Sequence, residues 1–161
     1  MKRHVIIGRF GAGDNAGVAS APDETATRFE LVASTRRLDH GIGQALVDLP
    51  KLGILPSEIG IDLLVLAAHV HAADTRISRS TDSQDSWTRE LRIVVPVSDV
   101  PRWSANTSLL TTMLNFLTGD RWTIGFRLRP PAFSTLRPAL PRGAPDPEYG
   151  SVALFSGGLD S

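Results

Sequence analysis

The stretch Val152-Ala-Leu-Phe155-Ser156-Gly157-Gly158-Leu159-Asp160-Ser161 constrains this chain most. An apolar run of strand type delivers the backbone into two adjacent glycines, which permit a positive-φ turn and let a ligand approach the main chain with no Cβ in the way. Successive N–H groups can then point at one anion, and the hydroxyls of Ser156 and Ser161 add donors. A helix after Ser161 would aim its positive end at the same point. The pattern is a phosphate cradle. It is not a Walker A loop, because no Gly-Lys-Ser/Thr follows the glycines to bring a lysine to the terminal phosphates.

Ser156-Gly157-Gly158-Leu159-Asp160-Ser161 resembles the PP-loop of the ATP pyrophosphatase family, whose members split ATP between the α and β phosphates and adenylate an acceptor. As a motif the resemblance covers residues 152–161, and the sheet, helices and remaining ATP contacts of such a domain would lie beyond Ser161. Residues 151–161 are therefore expected to be the first strand and PP-loop of a truncated nucleotide-binding domain.

Everything upstream reads as one domain, residues 1–128, because 161 residues at 42% apolar content suffice for a single core. Lys+Arg and Asp+Glu both number 17, so no bulk field favours nucleic acid or an anionic membrane. Zero cysteine excludes disulfides, thiolate zinc sites and a cysteine nucleophile from these residues. The longest apolar stretch, residues 63–68, falls far short of the roughly 20 residues of a membrane span. Met1-Lys-Arg-His4 opens no signal-type segment, so the expected location is cytoplasmic.

Along the chain, residues 4–7 read as a strand, and Gly11-x-Gly13-x-x-Ala16 after it imitates a dinucleotide fingerprint without the helix that motif requires. A glycine-rich loop leading to a second strand at residues 28–32 is the better account. Asp39 can cap a helix to about Leu49 with Ile42, Ala45, Leu46 and Leu49 on one face, ended by Pro50 and Gly53. Pro56-Ser57-Glu58 starts a second helix over residues 58–73, apolar almost all round and expected to be the central buried one. Near its end His69, His71 and Asp74 invite a metal reading, but i and i+2 lie about 200° apart on a helix, which favours ordinary histidines. Residues 75–90 form a polar loop in which Arg76, Arg79, Trp87 and Arg89 could grip a phosphate or a stacked base, though interleaved acids favour a solvated loop anchored by the tryptophan.

Leu91, Ile93, Val95 and Val97 then alternate with other residues as a half-buried strand, confined by Pro96 to an edge or a strand end. Residues 106–117 give a helix with Leu109, Leu110, Met113, Leu114 and Leu117 inward and Gly119 as C-cap. Trp122, Ile124, Phe126 and Leu128 supply one more strand. The expected class is α+β, a small mixed sheet with helices packed on it. Residues 129–150 hold six of the 11 prolines and a run of arginines, which predicts a stiff basic linker and a candidate strap for an anion.

Two subfamilies carry the same loop. Asparagine synthetases place it after a glutaminase domain with a cysteine at position 2, where this chain has Lys2. In 7-cyano-7-deazaguanine synthases (QueC type) the loop lies near the N-terminus, so this chain departs from them by some 150 extra residues. The whole is most similar to the QueC-like proteins of bacterial anti-phage (Qat-like) systems, which add an N-terminal domain. Asp62-Leu-Leu, Ala72-Ala73-Asp74, Trp87-Thr-Arg89 and Leu114-Asn-Phe-Leu-Thr-Gly-Asp-Arg-Trp122 look similar to that domain. The resemblance implies an ATP-dependent ligase using Mg2+ and ATP, with Ser156, Gly157, Gly158 and Ser161 holding the pyrophosphate part and Asp160 orienting the loop or the metal. None of these would be a nucleophile, and residues 1–161 alone are expected to be inactive. The alternatives are an asparagine-synthetase-like ligase without the glutaminase cysteine, or a non-catalytic domain docking a protein partner or a modified protein substrate.

Overall fold

The computed structural model describes residues 3–32, 38–83, 87–139 and 143. The expected strand at 152–155 and the loop residues Ser156, Gly157, Gly158, Asp160 and Ser161 lie outside these described residues. So does residues 144–150 of the linker, along with 140–142.

The described residues form an α+β fold with one four-stranded sheet and five α-helices. The elements run β1 (Arg3–Arg9), β2 (Glu24–Glu30), α1 (Ile42–Asp48), α2 (Glu58–Arg76), α3 (Arg79–Asp82), β3 (Glu90–Val97), α4 (Val100–Ala105), α5 (Thr107–Thr118) and β4 (Arg121–Leu128). The strand order is β2-β1-β3-β4 and every pair is parallel, which corrects the expected mixed sheet. The reason lies in residues 10–23. Parallel neighbours need a crossover of about a dozen residues, and this glycine-rich connection is long enough to run back along β1 without a helix. It starts β2 at Glu24 rather than at residue 28.

Ile6, Ile93 and Ile124 stand in register across β1, β3 and β4 and are all buried on the helical side. Each such burial contributes about 1.5–3 kcal/mol. The opposite face buries Val5, Ile7 and Val94, with Val18 of the 10–23 connection packed over them. Covering both faces explains why β3 is buried from Ile93 to Val97, where its sequence suggested half-burial. β3 is interior, and Pro96 is tolerated because the pairing of β1 with β3 ends at Ile7–Val94.

α2 begins as its sequence requires, with the Ser57 hydroxyl accepting from the Gly60 N–H at 3.1 Å. It buries Ile61, Asp62, Val65, Leu66, His69, Ala72 and Ala73 on the sheet, but Leu63 and Leu64 stay exposed, so it is one-sided and not buried all round. α1 is shorter than expected and carries Gly41, not Asp39, at its N-cap. A 3-10 turn at Leu49–Leu52 follows it, and Gly53 closes that turn. Residues 75–90 are only partly a loop, since α2 continues to Arg76 and α3 follows. The C-cap of α5 is Gly119 at φ 72, the left-handed conformation that glycine adopts without strain. The inward set of α5 is corrected: Leu114 is buried and Leu110 partly so, while Leu109, Met113 and Leu117 face outward. Among the described residues no helix is long and apolar enough to cross a membrane.

Candidate functional site

In open parallel sheets, ligands sit beyond the carboxyl ends of strands where the order reverses. Here that point lies beside β1, whose chain leaves towards β2 on one side while β3 and β4 follow on the other. The residues after β1 and β4 fill it. Asp14 accepts from the Phe10 N–H at 2.9 Å and from Arg127, which also donates to the Gly8 carbonyl at 2.7 Å. Arg9 donates to the carbonyls of Asp14 at 3.2 Å and Ala16 at 2.6 Å. Burial pushes the Asp14 carboxyl up, but the Phe10 N–H and the Arg127 guanidinium outweigh it and hold the group below its ordinary range. The loop's own N–H groups of Asp14 and Asn15 are spent on the Gly11 and Gly13 carbonyls. Gly11-x-Gly13-x-x-Ala16 is therefore a strand connection closed by its own carboxylate.

A second cluster ties the chain leaving β4 to α2. Asp62 accepts from the Ser98 N–H and hydroxyl, from the Trp103 indole N–H at 2.9 Å, and from Arg129. Arg129 also donates to Glu58 at 2.5 Å, and the other Glu58 oxygen accepts from the backbone N–H groups of Leu136 and Arg137. For Glu58 too, burial works upward and is outweighed by the Arg137 N–H and Arg129, leaving the carboxyl lowered. Phe133 stacks on Phe10 at 4.9 Å between ring centroids. Arg127 and Arg129, candidates for an anion strap, are thus occupied by Asp14, Asp62 and Glu58.

The third cluster answers the arginines of residues 75–90. Asp120 accepts both Arg79 η-nitrogens at 2.9 Å and the Arg89 η-nitrogen at 2.6 Å. Arg89, 1% exposed, also reaches Asp74 at 2.7 Å and the Ile77 carbonyl at 2.6 Å. Burial raises the Asp120 carboxyl, and its bonds with Arg89 more than reverse this. Neither Arg79 nor Arg89 is free to grip a phosphate, and Trp87 is exposed beneath Arg79 instead of anchoring a loop. Asp62, Asp74, Arg89 and Asp120 do structural work here. Their separation in sequence gave no cue to their pairing.

His69 and His71 point apart, the first fully buried and the second exposed. Nδ1–H of His69 donates to the Val65 carbonyl at 2.7 Å, and Nε2 has no partner. Among the described residues no group of His, Asp and Glu is assembled to hold a metal ion, and the clustered carboxylates are committed to arginines. A magnesium–ATP site does not fit them.

What remains open is a face. Leu109, Met113, Phe116 and Leu117 of α5 stand exposed, Phe116 at 87%, beside Leu63 of α2. A groove of about 580 Å3 runs between the two helices, floored by Leu66, Val70 and Leu114. α5 carries no charged residue along its length. A contiguous apolar patch of this kind is uncommon on a free surface and is typical of contact sites. Sequence periodicity assigned Leu109, Met113 and Leu117 of this stripe to the core and did not single out Phe116. Comparison of the chain with protein-family models, with curated proteins and with solved structures finds no match.

Proposed function

We propose that the chain is the N-terminal part of a PP-loop ATP pyrophosphatase of QueC-like type, an enzyme that adenylates an acceptor with release of pyrophosphate. The observation that carries this reading is Ser156-Gly157-Gly158-Leu159-Asp160-Ser161 directly after a strand-type apolar run. Ser156, Gly157, Gly158 and Ser161 hold the pyrophosphate part of ATP, and Asp160 orients the loop or the Mg2+ that accompanies ATP. Fixed donors stabilise the leaving pyrophosphate, which is the contribution such a loop can make.

In this reading residues 1–128 do no chemistry. The committed state of Asp14, Asp62 and Asp120 supports that, since each is held by arginine and none is poised as an acid or base. The bare α5 face supports a docking role towards an apolar, uncharged surface of a protein partner. Location in the cytoplasm, which rests on the sequence pattern, and a part in anti-phage defence, which rests on the resemblance alone, belong to the same proposal.

The test uses a polypeptide that continues past Ser161. Gly158→Val should abolish ATP-dependent pyrophosphate release by blocking close approach to the loop. Ser161→Ala removes one donor and should lower turnover by about one or two orders of magnitude. Near-normal turnover in Gly158→Val would reduce the motif to an ordinary turn.

A further inference from the structure

Next to the α5 groove, across the ridge of α2 formed by Ala67 and His71, which line both hollows, lies a second cavity of about 540 Å3, within the range of small-molecule sites. Its wall on α2 is made by Leu64, Ala67, Ala68, His71, Ala72, Thr75 and Arg76, a stripe at helical spacing whose alanines create the hollow. Across from it stand Ile42 and Ala45 at the start of α1, and Phe29 of β2 forms the floor.

The guanidinium of Arg76 is the permanent charge in this cavity. His40, His71 and Thr75 line it as well, and no aspartate or glutamate does. Arg76 lies over the Phe29 ring at 5.1 Å from the centroid. Unlike Arg79, Arg89, Arg127 and Arg129, it has no hydrogen bond or ion pair among the described residues. His40 is held in place, donating Nε2–H to the Glu30 carbonyl at 2.9 Å and packing on Phe29 at 4.5 Å. It does so at φ 57, the one non-glycine positive φ among the described residues, a conformation that costs energy and needs a surrounding constraint to persist.

We infer that this cavity is a binding site for a small organic anion with an apolar, preferably aromatic, body and a single carboxylate-, sulfonate- or phosphate-type head. The body lies on Phe29 and the alanine wall, and the head takes the unpaired guanidinium of Arg76 at the mouth, with Thr75 and His71 beside it. An apolar floor alone would hold a neutral body equally well; the unmatched positive charge selects the anion. The inference does not rest on the ATP loop, and its test touches none of residues 152–161.

The test is a fluorescence titration of the 161-residue chain with 1-anilinonaphthalene-8-sulfonate, run beside its uncharged relative N-phenyl-1-naphthylamine. Three variants accompany it: Arg76→Gln, which keeps length and removes charge; Ala68→Leu, which fills the hollow; and Phe116→Ser, which alters the separate α5 face. Circular dichroism melts establish that each variant is folded, and Arg76→Gln changes an exposed side chain that carries no fold contact beyond Phe29. The site predicts saturable sulfonate binding that weakens about tenfold or more in Arg76→Gln, weakens in Ala68→Leu, and is unchanged in Phe116→Ser. The neutral relative should bind about tenfold more weakly than the sulfonate and be indifferent to Arg76→Gln. Binding within twofold of the original in Arg76→Gln, equal binding of the neutral probe, or loss of binding in Phe116→Ser would each overturn the assignment.

Discussion

His69 makes the stability of this fold depend on pH in a window that no carboxylate shares. Its imidazole is fully buried, its Nδ1–H is given to the Val65 carbonyl, and its Nε2 faces Gly8 with no partner. Protonation would put a charge in the core and an N–H where nothing accepts it. Burial, helped by the nearby charges of Arg127 and His40 and opposed by the Val65 bond, lowers its pKa from 6.5 to about 4. The folded-state value is depressed, so the unfolded chain binds the extra proton first. Its contribution is complete above 6.5 and is lost as pH falls through about 4. At about 1.4 kcal/mol for each pH unit, the loss is ~3 kcal/mol. With a urea m-value of about 2 kcal/mol per molar, the unfolding midpoint should fall by roughly 1 to 1.5 M between about pH 7 and pH 4. Urea unfolding across that range, on the original chain and on His69→Gln, isolates the effect, since the variant should lose most of the slope above about pH 4.5. An imidazole proton resonance of folded His69 that titrates near 6.5, or a slope that persists in His69→Gln, would refute the reasoning.

Gly8→Ala should destabilise by about 2–4 kcal/mol, because its Cβ would stand 2.2 Å from His69 Nε2 and 2.8 Å from Pro96 Cδ. Adding His69→Ala should recover part of that loss in the same urea assay. Asp120→Asn strips Arg89 of its main partner in the interior and should cost about 3–5 kcal/mol at pH 7. Because the Asp120 carboxyl is lowered in the fold, that gap should close as pH falls below about 4, and a constant gap would argue against the ion cluster. Phe116→Ser and Leu109→Ser should change stability by no more than about 0.5 kcal/mol, whereas a core-facing α5 would lose several times that. Ending the chain after residue 139 should leave cooperative melting intact. Ending it after residue 128 removes Arg129 from buried Asp62 and should lower the midpoint clearly.

How much of this was legible in the sequence follows from which forces act locally. Ser57 as a cap, the strand character of β3 and β4 and the left-handed Gly119 all depend on near neighbours, and the chain states them. The orientation of α5 does not. Spacing places Leu109, Met113 and Leu117 on one stripe but is silent on whether the sheet lies under it, and here the sheet takes only Leu110 and Leu114. The parallel pairing of β1 with β2 was equally hidden, because residues 10–23 carry no helical signal for a crossover. Asp74, Arg89 and Asp120 meet only once β3 and β4 are in register, so sequence left Arg89 as a surface candidate when it is the largest fully buried side chain among the described residues. Of the candidate site, the Ser-Gly-Gly loop rests on local pattern, and the cavity around Arg76 required the fold.

The central claim, that Ser156 to Ser161 belong to an enzyme cutting ATP between the α and β phosphates, is tested most directly by identifying the products. A polypeptide continuing past Ser161, incubated with Mg-ATP and separated by anion-exchange chromatography, should yield AMP or an adenylated acceptor together with pyrophosphate, and Gly158→Val should yield neither. ADP with inorganic phosphate from the same polypeptide, or no ATP-derived product under any condition that supports folding, would contradict it.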